Sequence, residues 1–415
     1  MVLARENAIS VLGGFTLKMI KLSLDEIKPG MLLARSIVTE NGELLLSAGY
    51  VVNDRVIAKM REIELTACWI AEEGTEHIVP EETVNEQLAL QSQFVVQENA
   101  DILKRVAQVK SLTQSGISKV LADTTRFKNI IAVEEIKKIV KLILEDLLNK
   151  DSVSVNLTSI RTKSGYLYQH ALDVTIAAII LAHKLKYTHR EIEELALGCL
   201  LMDLGVVVFP ETLMNKSGVL NDQDAALYRE HPTLGYAIIR QNERLSITTA
   251  HVAYQHHERQ DGNGYPRGLR GDNQIPIKTL SPQKGMIHRY AEIAAVADTY
   301  ISLIQPKPNT VPPLSPGDAM RVVIRAAGTH LNRALVDAFI TIVPVFPLGS
   351  RVVIVEDKKY RKYAGFSGIV ARTNPDNAEK PVLLIIFDRE KKKIKAWTLD
   401  LTQEEGFKIQ FARLQ

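Results

Sequence analysis

Six residues in the middle of the chain are of types that hold metal ions: His170, Asp203, His231, the adjacent pair His256-His257, and Asp298. Most lie in or beside apolar helical stretches, where an imidazole or carboxylate needs a partner. His170 starts a run through Val174, Ala177, Ala178 and Leu181 at helical spacing. Asp203 closes the apolar run from Leu195 to Met202, and Asp298 closes the run from Ile293 to Ala297. Imidazoles with carboxylates form the donor set of zinc, iron and manganese, and a shared carboxylate can bridge two ions. A lone histidine on an apolar face is more often a satisfied core residue. That, or a plain surface position, is the simpler reading of His183, His189, His251, His288 and His330. Ligands dispersed over helices have no diagnostic spacing, so residue types alone leave metal binding and core packing both open.

The elements that must position these residues follow from pattern. At 415 residues the chain is too long for one ordinary core, and two to four domains are expected. With 46% hydrophobic and 24% charged residues it has the composition of a globular protein with ample core material. A net charge of +3 argues against a protein whose main partner is a nucleic-acid polymer or an anionic membrane. Cys68 and Cys199 make neither a disulfide framework nor a ligand pair, which suits a reducing cytoplasm. Residues 1–18 read as a leader, with Met19 as an alternative start, and no stretch is long enough for a membrane anchor.

Residues 19–75 read as a β-rich unit. Asn41-Gly42 between two apolar runs is a hairpin signal, since both types tolerate positive φ. Residues 81–150 read as a helical linker region, with Ile136, Ile139, Val140, Ile143 and Leu147 on one face. That face suits core packing better than pairing with a second copy. The block 151–344 is helical and holds nearly all the histidines, and 346–415 returns to short β runs. Lysines at 358, 359 and 362, and at 391–393 and 395, fit a solvated sheet edge better than a docking patch. The fold class is therefore α+β and multidomain, an all-α bundle between small β-rich units.

Local context narrows the chemistry. The segment from His256 to Leu269 reads His-His-Glu-Arg-Gln-Asp-Gly-Asn-Gly-Tyr-Pro-Arg-Gly-Leu. It resembles the defining signature of the HD-GYP branch of metal-dependent phosphohydrolases. His231-Pro232-Thr233-Leu234-Gly235 is similar to that family's His-Pro-x-x-Gly. The segments Ala295 to Tyr300 and Leu213 to Gly218 resemble its last ligand segment and the loop after its His-Asp dyad. The resemblance runs in order from about Gly165 to Leu303. It implies an HD-type helical bundle holding two divalent ions, iron or manganese, that hydrolyses cyclic di-GMP. Carried over by position, it makes His170 the first-helix ligand and Asp203 the bridging carboxylate and catalytic residue. It gives His231, His256 and His257 to one ion and Asp298 to the other. Gly264, Tyr265, Pro266, Arg267 and Lys307 would contact the nucleotide. Cyclic di-GMP is the implied partner, with a homodimer and signalling proteins as further expectations.

Four departures bear on activity. The dyad reads Met202-Asp203, and a thioether is a weak ligand for such ions. Gly205-Val206 replaces Gly-Lys, which removes an ammonium. Ile301 stands where an aspartate is usual, and 278–290 looks like an insertion. Tyr166 or its neighbours occupy the place of the extra glutamate of three-metal members, which argues against a third ion. Two readings follow: a phosphodiesterase weakened at Met202 and Val206, or a degenerate cyclic di-GMP receptor that still binds metal. A scaffold merely braced by metal is a third, which leaves Tyr265 and Arg267 without a ligand.

Overall fold

Strand β7 (Ser367–Arg372) and strand β8 (Val382–Phe387), near the C-terminal end, are almost continuously apolar. Such runs suit a sheet buried on both faces. In the computed structural model, Ile369 and Ile386 face one core, while Val370, Leu383 and Ile385 face the other. The structure describes residues 20–411 apart from 35–36, 39–43, 48, 63–64, 66, 72–82, 85, 108–113, 150–165, 215, 217–219, 276–284, 306–312, 348–349, 375–376, 378 and 405. The leader, the Asn41-Gly42 turn and Lys307 lie outside the described residues, as does most of the expected insertion.

The chain divides into two compact units. The first gathers both ends of the chain, the part before 83 and the part from 343 on. Its N-terminal portion holds β1 (Ile20–Ser23), β2 (Leu32–Leu33), β3 (Ile37–Val38), β4 (Leu44–Leu46), α1 (Asp54–Glu62) and β5 (Ala67–Ala71). The sheet order there is β1-β5-β2, with β3 and β4 paired separately. Its C-terminal portion adds β6 (Arg351–Asp357), β9 (Lys393–Asp400) and β10 (Phe407–Phe411) to β7 and β8, in antiparallel order β10-β6-β7-β8-β9. Leu22, Leu33, Ile37, Val56 and Met60 share one core with Ile369 and Ile386, so the two ends bury each other's apolar faces.

The second unit is helical: α2 (Glu86–Ala107), α3 (Gln114–Ala122), α4 (Val133–Leu148), α5 (Tyr166–Lys184), α6 (His189–Leu201), α7 (Glu211–Met214), α8 (Asp222–Tyr228), α9 (His231–Ile239), α10 (Ile247–Gln255), α11 (Arg289–Ile304), α12 (Pro316–Ala326) and α13 (Arg333–Phe339). The apolar face of α4 is buried at Ile136, Ile139, Val140, Ile143 and Leu147 and packs on α2, α5 and α6. Helix α6 starts on a Thr188–Glu191 capping box, which satisfies two of its orphan N–H groups. Helices α5 and α11 are apolar on nearly every face and sit at the centre of the bundle, packed on each other. No described helix is long and apolar enough to cross a membrane.

One buried carboxylate pins the bundle. Glu292 of α11 accepts from Gln260 Nε2 at 2.7 Å and from Asn332 Nδ2 at 3.2 Å. Burial pushes its carboxyl up to about 7. A raised carboxyl stabilises the fold most below its unfolded value, and that support is lost as pH rises through about 7. Glu292→Gln keeps an acceptor and removes the charge. It is therefore expected to match the parent near pH 4.5 and to be more stable than it at pH 8.5 by about 2–3 kcal/mol. Urea unfolding at the two pH values measures this, and equal differences at both would contradict it.

Candidate metal centre

Five short stretches bring the ligand types together. His170 lies one turn into α5 and is buried. Met202 caps the C-terminus of α6, and Asp203 follows it, at the entrance to a 3-10 turn over Leu204–Val208. His231 opens α9, where Pro232 presets the first-turn backbone. His256 caps α10, His257 follows in the turn, and Asp298 sits in the middle of α11. Gly205 makes the approach feasible. A Cβ there would lie 2.0 Å from the His231 carbonyl oxygen, so only glycine lets the Asp203 turn close onto α9.

Asp203 stands at the centre, and its two oxygens face different partners. Oδ1 lies 3.4 Å from His231 Nε2 and 3.7 Å from His256 Nε2. Oδ2 lies 3.9 Å from His170 Nε2, which in turn is 2.8 Å from Asp298 Oδ1. The Nε2 atoms of His231 and His256 are 3.3 Å apart. Ligand atoms of His231, His256 and His257 all lie within 4.8 Å of one another. Neighbouring ligands on an ion with bonds of about 2.1 Å are separated by roughly 3–3.5 Å, so these residues fit a metal ion.

Backbone carbonyls fix which nitrogen faces inward. His231 Nδ1–H donates to the Tyr228 carbonyl at 2.8 Å, and His256 Nδ1–H to that of Ala253 at 3.0 Å. Each Nε2 is thereby left as a lone-pair donor. Burial, resisted by the Asp203 charge, lowers His231 to about 4, so it is neutral at physiological pH. Burial also opposes the Asp298 carboxylate. The His170 hydrogen bond and the neighbouring His170, His257 and His256 outweigh it and hold that group well below the usual carboxylate range.

The Gly-Tyr-Pro loop closes over this centre. The Tyr265 ring stacks on His257 at 4.7 Å and 23°. Burial and the charges of Asp298 and Asp203 raise its phenol, so it stays protonated as a donor. At Gly264 a Cβ would strike the Arg259 nitrogen at 2.4 Å and the His257 oxygen at 2.6 Å. The Tyr265-Pro266 peptide is cis. Buried Glu258 ties the loop down by accepting from the backbone N–H groups of Arg267 and Leu269, each at 2.7 Å.

The structure brings His170, Asp203, His231, His256, His257 and Asp298 together, with Gly264, Tyr265 and Pro266 beside them. The exposed Arg267 is felt by His251, Tyr254 and Glu258 instead. The cation over the Tyr265 ring is Arg229, at 5.7 Å, which sequence reasoning missed. Its place two residues before His231 was the available signal. Glu258 and Gln305 were missed too: Glu258 stands within the signature, while Gln305 had no local mark.

A family model described as "HD domain" matches residues 144–335. The chain is 25% identical over 290 residues to "Cyclic di-GMP phosphodiesterase PA4108" of Pseudomonas aeruginosa, covering 70% of this chain and 64% of that one. It is 31% identical over 151 residues to a "Cyclic di-GMP phosphodiesterase" of Thermotoga maritima, covering 36% of this chain and 37% of that one. It thus spans less than two thirds of the length of either relative. The solved structure of Bd1817, a HDG"Y"P protein from Bdellovibrio bacteriovorus, aligns with a TM-score of 0.39 and 18% identity over 77% of this chain and 98% of that one.

Proposed function

We propose that this chain, whose residues 144–335 match an HD domain, is a metal-dependent phosphodiesterase of the HD-GYP branch that opens cyclic di-GMP. The observation that carries this is Asp203, whose two carboxylate oxygens point at two separate ligand sets. His231, His256 and His257 with Asp203 would hold one ion, and His170, Asp203 and Asp298 would hold the other. Their imidazole and carboxylate donors suit iron or manganese. Bound ions of this kind lower the pKa of water and neutralise phosphate charge.

The protein's own residues do the rest. His170, Asp203 and Asp298 would hold the second ion with three protein ligands, and that ion would supply Lewis-acid chemistry toward water and phosphate. Asp203, shared between the two ligand sets, would fix their separation and so help orient a bound phosphodiester. Tyr265 offers a phenol O–H beside them, and Arg229 brings a guanidinium over the same ring, where a nucleotide phosphate would sit. The names of the relatives support cyclic di-GMP as the substrate. Cysteine usage supports a cytoplasmic site of action.

The test is hydrolysis of cyclic di-GMP by the full chain under anaerobic conditions with iron(II) or manganese(II), followed by chromatography of the products. Turnover that a chelator abolishes and added ion restores is expected. Bound metal and bound nucleotide without turnover would overturn the hydrolytic reading, and absence of metal uptake would overturn the site itself.

A further inference from the structure

The ion held by His170 has an unusual dependence on this chain's own residues. With Met202 in the dyad, His170 is the single imidazole among the three ligands His170, Asp203 and Asp298. Its orientation therefore matters more than that of any one histidine in the other set.

That orientation is set by a chain of buried polar groups. His170 Nδ1 is 3.1 Å from Gln305 Oε1, at the C-cap of α11. Gln305 Nε2 donates to Asp173 Oδ2 at 2.6 Å, and Gln169 Nε2 donates to Asp173 Oδ1 at 2.8 Å. Gln169 Oε1 accepts in turn from the side-chain amide of Gln93 on α2. Gln169, Asp173 and Gln305 are all buried. An ionised carboxylate only accepts, so both amides facing Asp173 must present N–H groups to it. Gln305 then has only its carbonyl oxygen to offer His170. A neutral His170 that donates from Nδ1 to this carbonyl has its lone pair on Nε2, so an ion would replace the Nε2–Asp298 hydrogen bond of 2.8 Å and take Nε2 as its ligand atom.

We infer that Asp173 is a positioning residue for this one ion. Acting through Gln305, it fixes the tautomer and ring plane of His170, and the Gln169–Gln93 contact anchors it to α2. The inference rests on the two-ion reading above. It gives a role to a buried aspartate that belongs to neither ligand set.

Asp173→Asn keeps the shape but puts an N–H where an acceptor stood. Gln305 then relaxes by turning its amide, which points N–H at His170 Nδ1 and drives the proton to Nε2. Manganese(II) titration of the full chain, by calorimetry and by electron paramagnetic resonance, is the experiment. The parent should take up two ions. Asp173→Asn should bind one of them roughly ten- to a hundredfold more weakly and the other unchanged, which also shows the fold is intact. Gln305→Met, which removes both the acceptor for His170 and the donor to Asp173 while leaving the Asp173 side chain in place, should give the same selective loss, and the double variant should lose no more than either single one. Two ions bound by Asp173→Asn as tightly as by the parent would overturn the inference, as would equal weakening of both ions. A parent chain that takes up fewer than two ions would instead overturn the metal-centre reading.

Discussion

Asp203→Ala is expected to lower turnover of cyclic di-GMP on the order of a thousandfold and to weaken the uptake of both ions. No other ligand has this double reach. His231 and His256 face Oδ1, while His170 faces Oδ2, so removing the side chain breaks both sets at once. By the same geometry His256→Ala should strip one ion and spare the other. His183→Ala, an exposed position near the end of α5, is the control and should change neither. Elemental analysis beside steady-state kinetics reads the result. Two ions retained by Asp203→Ala would remove the bridging role assigned to it.

The second large effect runs the other way. Met202→His is expected to tighten the second ion about tenfold or more, and Met202→His with Val206→Lys to raise turnover about a hundredfold. Met202 is fully buried at the C-cap of α6, immediately before Asp203. An imidazole is close to methionine in volume, so it can be accommodated with little repacking. Its buried nitrogens need partners, and the ion supplies one. Met202→His should therefore be less stable than the parent without metal and more stable with it. Val206 is also buried, and an ammonium there requires an anion nearby. The lysine should help only once phosphate is bound. Thermal melts with and without manganese(II), and turnover at saturating substrate, test both halves. If the double variant gains neither affinity nor rate, the pocket has diverged beyond the dyad.

Both results turn on the same division between local and distant information. The ligand types, their order and the Gly-Tyr-Pro segment are stretches of a few residues, each with its own periodicity or turn chemistry. That is why His170, Asp203, His231, His256, His257 and Asp298 could be picked out from sequence and are found together in the bundle. The buried stripe of α4 was legible for the same reason, because a 3.6-residue period is a property of adjacent residues. Arg229 and Arg267 show the limit. Both lie close in sequence to ligand residues, but only the tertiary placement of the α8 C-terminus beside the Tyr265 loop selects Arg229 as the cation over that ring.

By itself, then, the sequence determined which side chains could hold metal, on which helices they sit, and that a dyad histidine and a lysine are missing. Tertiary structure alone decided which oxygen of Asp203 serves which set, and that both ends of the chain share one core. It also decided that Asp173 reaches His170 through Gln305, a residue 132 positions away from Asp173 in the chain. The physical reason is common to all three. Hydrogen bonds and apolar contacts are set by distance in space, and local propensity carries no record of which distant segment supplies the partner.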